Sequence, residues 1–218
     1  MKHIPIPTRR VIKLNPGYDS ILIVFILIIL FLSSWKSIIL PEIPSWAVVV
    51  FIVFWFISLL VPVSHLGLSV LLSKVLYVGI SIWGLLAIKS FQSRVTIVAL
   101  GLIFGFTTFA ITELLRLSPV VATRLTDFDT ILILSILISL CHQESLQQVT
   151  ILTIALLLSN GMTLLIYPAS DSLAGLDFQD LWWQSLLAMR IFTVSMKYGW
   201  IKYRKIVLGI SEIKGRRA

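Results

Sequence analysis

An all-α bundle of membrane-crossing helices is the fold class this 218-residue sequence predicts. Three observations predict it. Hydrophobic residues make up 58% of the chain and charged ones 13%, about half the charged share of an ordinary soluble domain. The apolar residues come in runs of about 20, the length that crosses a bilayer core as a helix. The breaks between runs are short and rich in Pro, Ser and charge, with no polar stretch long enough to fold by itself. One water-soluble core of this size cannot hide so much apolar surface, which excludes a soluble enzyme and a disordered protein alike.

Seven spans follow in order. The first covers residues 19–35. The basic stretch before it could open a signal peptide, but the run ends in Ser33-Ser34-Trp35-Lys36 instead of a small-x-small cleavage site, so the span is expected to be retained. The turn Pro41-Glu42-Ile43-Pro44 leads into the second, 45–63. A break at Ser64-His65 precedes the third, 66–88, and a polar turn from Lys89 to Arg94 precedes the fourth, 95–115; such a short turn makes these two an antiparallel hairpin. The fifth, 128–141, is short, and the sixth covers 149–167. After a loop with Asp171, Asp177 and Asp180 comes the seventh, 182–201, which carries Arg190. Six spans with an in-plane last helix is the alternative. The organisation is thus a basic N-terminal tail (1–18), a transmembrane bundle (19–201) and a basic C-terminal tail (202–218). Trp35, Trp46, Trp182, Trp183 and Trp200 sit at span ends, where aromatic belts anchor helices.

The net charge of +8 comes from 18 Lys and Arg against 10 Asp and Glu. The basic residues gather at the chain ends without interleaved aromatics, which fits membrane orientation and anionic headgroups and excludes nucleic acid. A cytoplasmic C-terminus puts nine basic residues inside (Lys36, Lys89, Arg94, Lys202, Arg204, Lys205, Lys214, Arg216, Arg217) and six outside (Lys2, Arg9, Arg10, Lys13, Arg116, Arg124). The reading is therefore a multi-pass protein of the bacterial cytoplasmic membrane, N-terminus out and C-terminus in, its C-terminal tail on anionic lipid. The lone Cys141 allows no internal disulfide and reads as packing.

An ionisable residue inside a bilayer is a functional candidate, because burying it costs several kcal/mol or more. Lys74 stands about 12 Å into the third span and shares a helix face with Gly67, Tyr77, Ser81 and Gly84. Glu113 lies in the last turns of the fourth span, with Arg116 one turn on. The hairpin puts Lys74 nearly level with Glu113 and predicts a contact, with Arg116 and Tyr77 as further partners. Gly101 and Gly105 form a GxxxG that permits close helix approach, including to a membrane partner or a second copy. Asn160 lies on a polar face of the sixth span with Thr153, Thr163 and Tyr167 and is expected to bond between helices; Arg190 is expected to pair with Asp129 or Glu113. No zinc-protease, Walker or serine-nucleophile motif is present, and His3, His65 and His142 are scattered. No catalytic residue, metal or cofactor is expected.

Two segments carry a resemblance. Leu14-Asn15-Pro16-Gly17-Tyr18, just before the first span, and Phe178-Gln179-Asp180-Leu181-Trp182-Trp183 with Ala188-Met189-Arg190 after it resemble the two ends of the YphA-like membrane proteins of spore-forming Firmicutes. The resemblance covers most of the chain from residue 14 onward. It implies an integral membrane protein, sporulation-associated and without assigned catalytic residues. It also implies that residues 1–13 lie outside the family pattern and that the natural chain starts at Leu14, which leaves two basic residues outside instead of six. The expected function is a non-enzymatic membrane or envelope factor. The alternative is a small transporter whose polar path is lined by Lys74, Glu113, Asn160 and Arg190.

Overall fold

The computed structural model describes residues 18–33, 35–60, 66–118, 127–167 and 176–215. Among them every regular element is a helix: α1 (Tyr18–Leu32), α2 (Lys36–Ile39), α3 (Ser45–Leu60), α4 (Leu66–Ala87), α5 (Phe91–Leu117), α6 (Asp127–Cys141), α7 (Ser145–Ile166) and α8 (Leu176–Gly215). Each of the seven long helices overlaps one of the seven apolar runs, and α8 continues past its run through Gly215, into the stretch expected as a tail. The boundaries shift where polar side chains extend a helix past its run. α5 begins at Phe91 because Ser90 caps it, accepting from the Ser93 amide at 3.5 Å. Arg94, predicted only as a loop charge, closes the end of α4: its Nε donates to the Ile88 carbonyl at 2.7 Å and its Nη2 to that of Leu86 at 3.3 Å, acceptors a helix leaves open at its C-terminus. α7 begins four residues before its run because the Glu42 carboxylate accepts from Ser145 Oγ at 2.9 Å and from the Leu146 amide at 3.2 Å, supplying negative charge at a helix N-terminus.

The long helices alternate in direction. Trp46 meets Trp83 and Phe51 meets Tyr77, so α3 and α4 run antiparallel. The hydroxyls of Ser135 and Ser139 donate to the carbonyls of Ser185 and Met189 at 3.1 Å each, a constant offset that sets α6 and α8 parallel. Asp180 accepts from the Ser20 amide at 2.7 Å, which starts α1 and α8 at the same end. Gln148 pairs with Thr193 and Thr153 with Trp182, so α7 runs against α8.

α7 is the central post, burying Gln148, Ile151, Leu152, Ala155, Leu156 and Ser159 among others. This corrects the expected hairpin. α4 and α5 both pack chiefly on α7. The Gly101/Gly105 face is likewise filled from within the chain: a Cβ added at Gly101 would come within 2.7 Å of Ile154, and one at Gly105 within 2.9 Å of the Ala155 carbonyl and Leu158. The GxxxG therefore permits a close approach, as read, but its partner is α7 and not a second chain.

The bundle buries many polar side chains beside its apolar core and exposes large apolar ones. Buried positions include Ser135, Ser139, Gln148, Thr153, Ser185, Arg190 and Thr193, while Phe25, Ile29, Val53, Ile103, Phe106 and Ile191 stand more than half or nearly half exposed on the outside. Several buried hydroxyls are satisfied within their own helices: Thr108 donates to the Phe104 carbonyl at 2.7 Å, Thr153 to that of Val149 at 2.7 Å and Thr193 to that of Met189 at 2.9 Å. Such bonds need no water. Among the described residues, α5 and α7 are each long and apolar enough to cross a membrane; α1 and parts of α3, α4 and α6 are apolar but shorter. The side chain of Lys74, residues 1–13, Arg124, His3 and His65 lie outside the described residues.

Candidate functional site

Three polar or aromatic clusters and one cavity gather the candidate residues. At one end of α7, Tyr167 Oη donates to Glu113 Oε2 at 3.0 Å, Arg116 Nη1 donates to Glu113 Oε1 at 3.3 Å, and the Arg116 guanidinium lies 4.6 Å over the Tyr167 ring. Arg116 is a partner of Glu113, as the spacing predicted. Tyr77 is not: it is fully buried at a different level of the bundle. Tyr167 was read only as part of a polar face; its reach to Glu113 follows from α5 and α7 running parallel, which no local signal in the sequence announces.

The opposite end of α7 holds Arg190, 3% exposed. It pairs with neither Asp129 nor Glu113. Its Nε donates to the Ile39 carbonyl at 2.6 Å and its Nη1 to Gln148 Oε1. Gln148 in turn donates from Nε2 to the His142 carbonyl at 2.6 Å and to Thr193 Oγ1 at 2.8 Å. Glu42 is an electrostatic neighbour of Arg190, but its carboxylate is engaged at the start of α7. Among the described residues Arg190 has no ion-pair partner. A guanidinium presents five N–H donors, and only neutral acceptors meet it here. Sequence reasoning missed Gln148 and Ile39 because they lie 42 and 151 residues away. Asn160 donates to the Leu156 carbonyl of its own helix at 3.1 Å, so the interhelical bond expected of it gives way to one within the helix.

Between these ends lies an aromatic cluster. Trp182 and Trp183, expected in an aromatic belt, are each only 2% exposed. α8 begins at Leu176, so they stand two turns inside it and pack on Phe51, Trp55, Tyr77 and Phe178 with ring centroids 4.9–5.5 Å apart along the chain of contacts. Trp182 Nε1 donates to Thr153 Oγ1 at 3.1 Å. Trp35, Trp46 and Trp200 remain 52%, 62% and 67% exposed, where a belt needs them. Cys141, read as packing, is exposed instead because α6 ends there.

A cavity of about 450 Å³ runs beside this cluster, walled by α1, α3, α4 and α8 and floored by α2. Its walls are apolar, from Leu27 and Phe31 to Phe51, Ile80 and Leu187; Lys36 and Arg190 are its two charged residues. Val50 and Phe54 of α3 and Val75 of α4 line the cavity and are also 45%, 49% and 60% exposed, marking its mouth. No group of three or more metal-ligating side chains occurs among the described residues. The site is thus an apolar groove with two cations at one end. It has the volume and lining of a small-molecule pocket. In comparisons with protein-family models, curated proteins and solved structures, the chain finds no match in any.

Proposed function

We propose that the chain is a non-enzymatic integral membrane protein that crosses the bilayer seven times, through α1 and α3–α8, and works through contacts with lipids and membrane partners. By its resemblance to YphA-like proteins it is a sporulation- or envelope-associated factor of the bacterial cytoplasmic membrane. One observation carries this reading: the bundle turns large apolar side chains outward and keeps its hydroxyls, amides and Arg190 inside. Contiguous exposed apolar surface on that scale requires an apolar surrounding.

The charge distribution supports an orientation. Lys36, Lys89, Arg94, Lys197, Lys202 and Arg204 fall at or beyond the end of the bundle where α7 begins. Asp19, Asp180 and Glu113 fall at the other end. The positive-inside rule makes the first end cytoplasmic. A transport path draws less support: Gln148 beside Arg190 and Tyr167 beside Glu113 are separated by roughly 28 Å along α7, and Asn160, between them, bonds to its own helix.

Cys141 supplies the test, because it is exposed, unique and sited at the basic end. A membrane-impermeant maleimide should leave it unlabelled in intact cells and label it in inverted vesicles. Labelling in intact cells would reverse the orientation, and release of the protein by alkaline carbonate would defeat membrane integration altogether.

A further inference from the structure

We infer that the groove walled by α1, α3, α4 and α8 is a binding site for an anionic phospholipid, which places one acyl chain along the apolar walls and its phosphate against Lys36 and Arg190. The inference rests on the membrane reading and adds a ligand class to it.

Volume and shape narrow the occupant. An apolar groove of about 450 Å³ has room for an acyl chain. Along α8 the groove extends from Trp182 to Arg190, roughly 12 Å at helical rise, and it opens sideways at Val50 and Phe54, towards the lipid phase. Gly79 keeps one wall open: a Cβ placed there meets nothing within 4 Å.

Charge selects the headgroup. Arg190 donates to a backbone carbonyl and a neutral amide and has no ion-pair partner among the described residues. Lys36, itself partly buried, sits on α2, the short helix that also presents the Ile39 carbonyl to Arg190, and its ammonium likewise has neither ion pair nor hydrogen bond among the described residues. The nearby Glu42 carboxylate acts electrostatically on Arg190 but does not line the groove, and its Oε2 accepts at the start of α7. Lys36 and Arg190 line one end of an apolar slot that no carboxylate lines, at the basic end of the bundle, an arrangement complementary to a lipid phosphate. A zwitterionic lipid would bring its own cation into the same place and gain less.

The experiment uses the full chain in phosphatidylcholine nanodiscs containing a small fraction of photoreactive lipid. That lipid is either phosphatidylglycerol or phosphatidylcholine, each with a diazirine midway along one acyl chain; cross-linked peptides are mapped by mass spectrometry. Peptides from α3 and α8 that line the groove should be labelled at least fivefold more by phosphatidylglycerol. Lys36→Gln should reduce that preference below twofold. Gly79→Leu, which fills the slot, should lower groove labelling at least threefold and leave labelling of the outer face of α5 unchanged. Thermal unfolding of both variants checks that the fold is intact. Equal labelling by the two lipids, or a preference untouched by Lys36→Gln and Gly79→Leu, would overturn the site and leave the groove with ordinary surrounding lipid. Failure of the protein to insert into nanodiscs would instead overturn the membrane reading beneath it, so the two failures are distinct.

Discussion

Two sides of the bundle use glycine in opposite ways. On the α5–α7 seam, Gly101 and Gly105 meet Ile154, Leu158 and the Ala155 carbonyl so closely that no side chain fits. On the α1–α3 side, Gly79 faces open space at the wall of a 450 Å³ groove. A small residue in an apolar helix thus marks either a place where backbones touch or a place where something else is admitted. The seam holds the bundle together, and the groove is the part of the molecule left available for a ligand.

Gly105→Leu should give the largest effect and would break the comparison if it did not. Overpacking against a backbone carbonyl should destabilise the chain by about 3 kcal/mol, read by denaturant titration in lipid micelles. A neutral outcome would mean that the α5–α7 seam is loose. Gln148→Leu comes next. It removes the amide that holds Arg190 and should lose about 2 kcal/mol. Adding Arg190→Met to it should recover at least half of that, because replacing both partners of a buried polar contact by apolar groups is nearly neutral; additive losses would show that the two side chains act separately. Arg116→Gln removes the cation of the one ion pair found among the described residues. Its side chain is 44% exposed, so stability should fall by less than about 1 kcal/mol. Gly79→Leu should change stability least, within about 0.5 kcal/mol, while blocking the groove. A large loss there would mean that the groove wall is packed after all.

The positions of the helices were legible in the sequence, since seven apolar runs separated by Pro, Gly and charge need no partner to be recognised. The face shared by Tyr77, Ser81 and Gly84 turns inward, with Tyr77 and Ser81 buried and Gly84 against Thr150. Their shared face was visible as a row of small and polar residues in an otherwise apolar helix. Trp182 and Trp183 could not be placed in this way. A tryptophan near a span end suits the membrane interface and the core equally well, and α8 extending back to Leu176 decided for the core.

By itself the sequence determined the all-helical class and the order of long helices along the chain, because each depends on local hydrophobicity. Only the tertiary structure decided which helix lies beside which. Helices apolar on nearly every face carry no stripe that names a neighbour, so α7 between α4 and α5 had no advance signal. The same holds for the site. Arg190 was visible as a charge out of place, but Ile39 and Gln148 come to it from other helices, and the groove is lined from α1, α2, α3, α4 and α8 together.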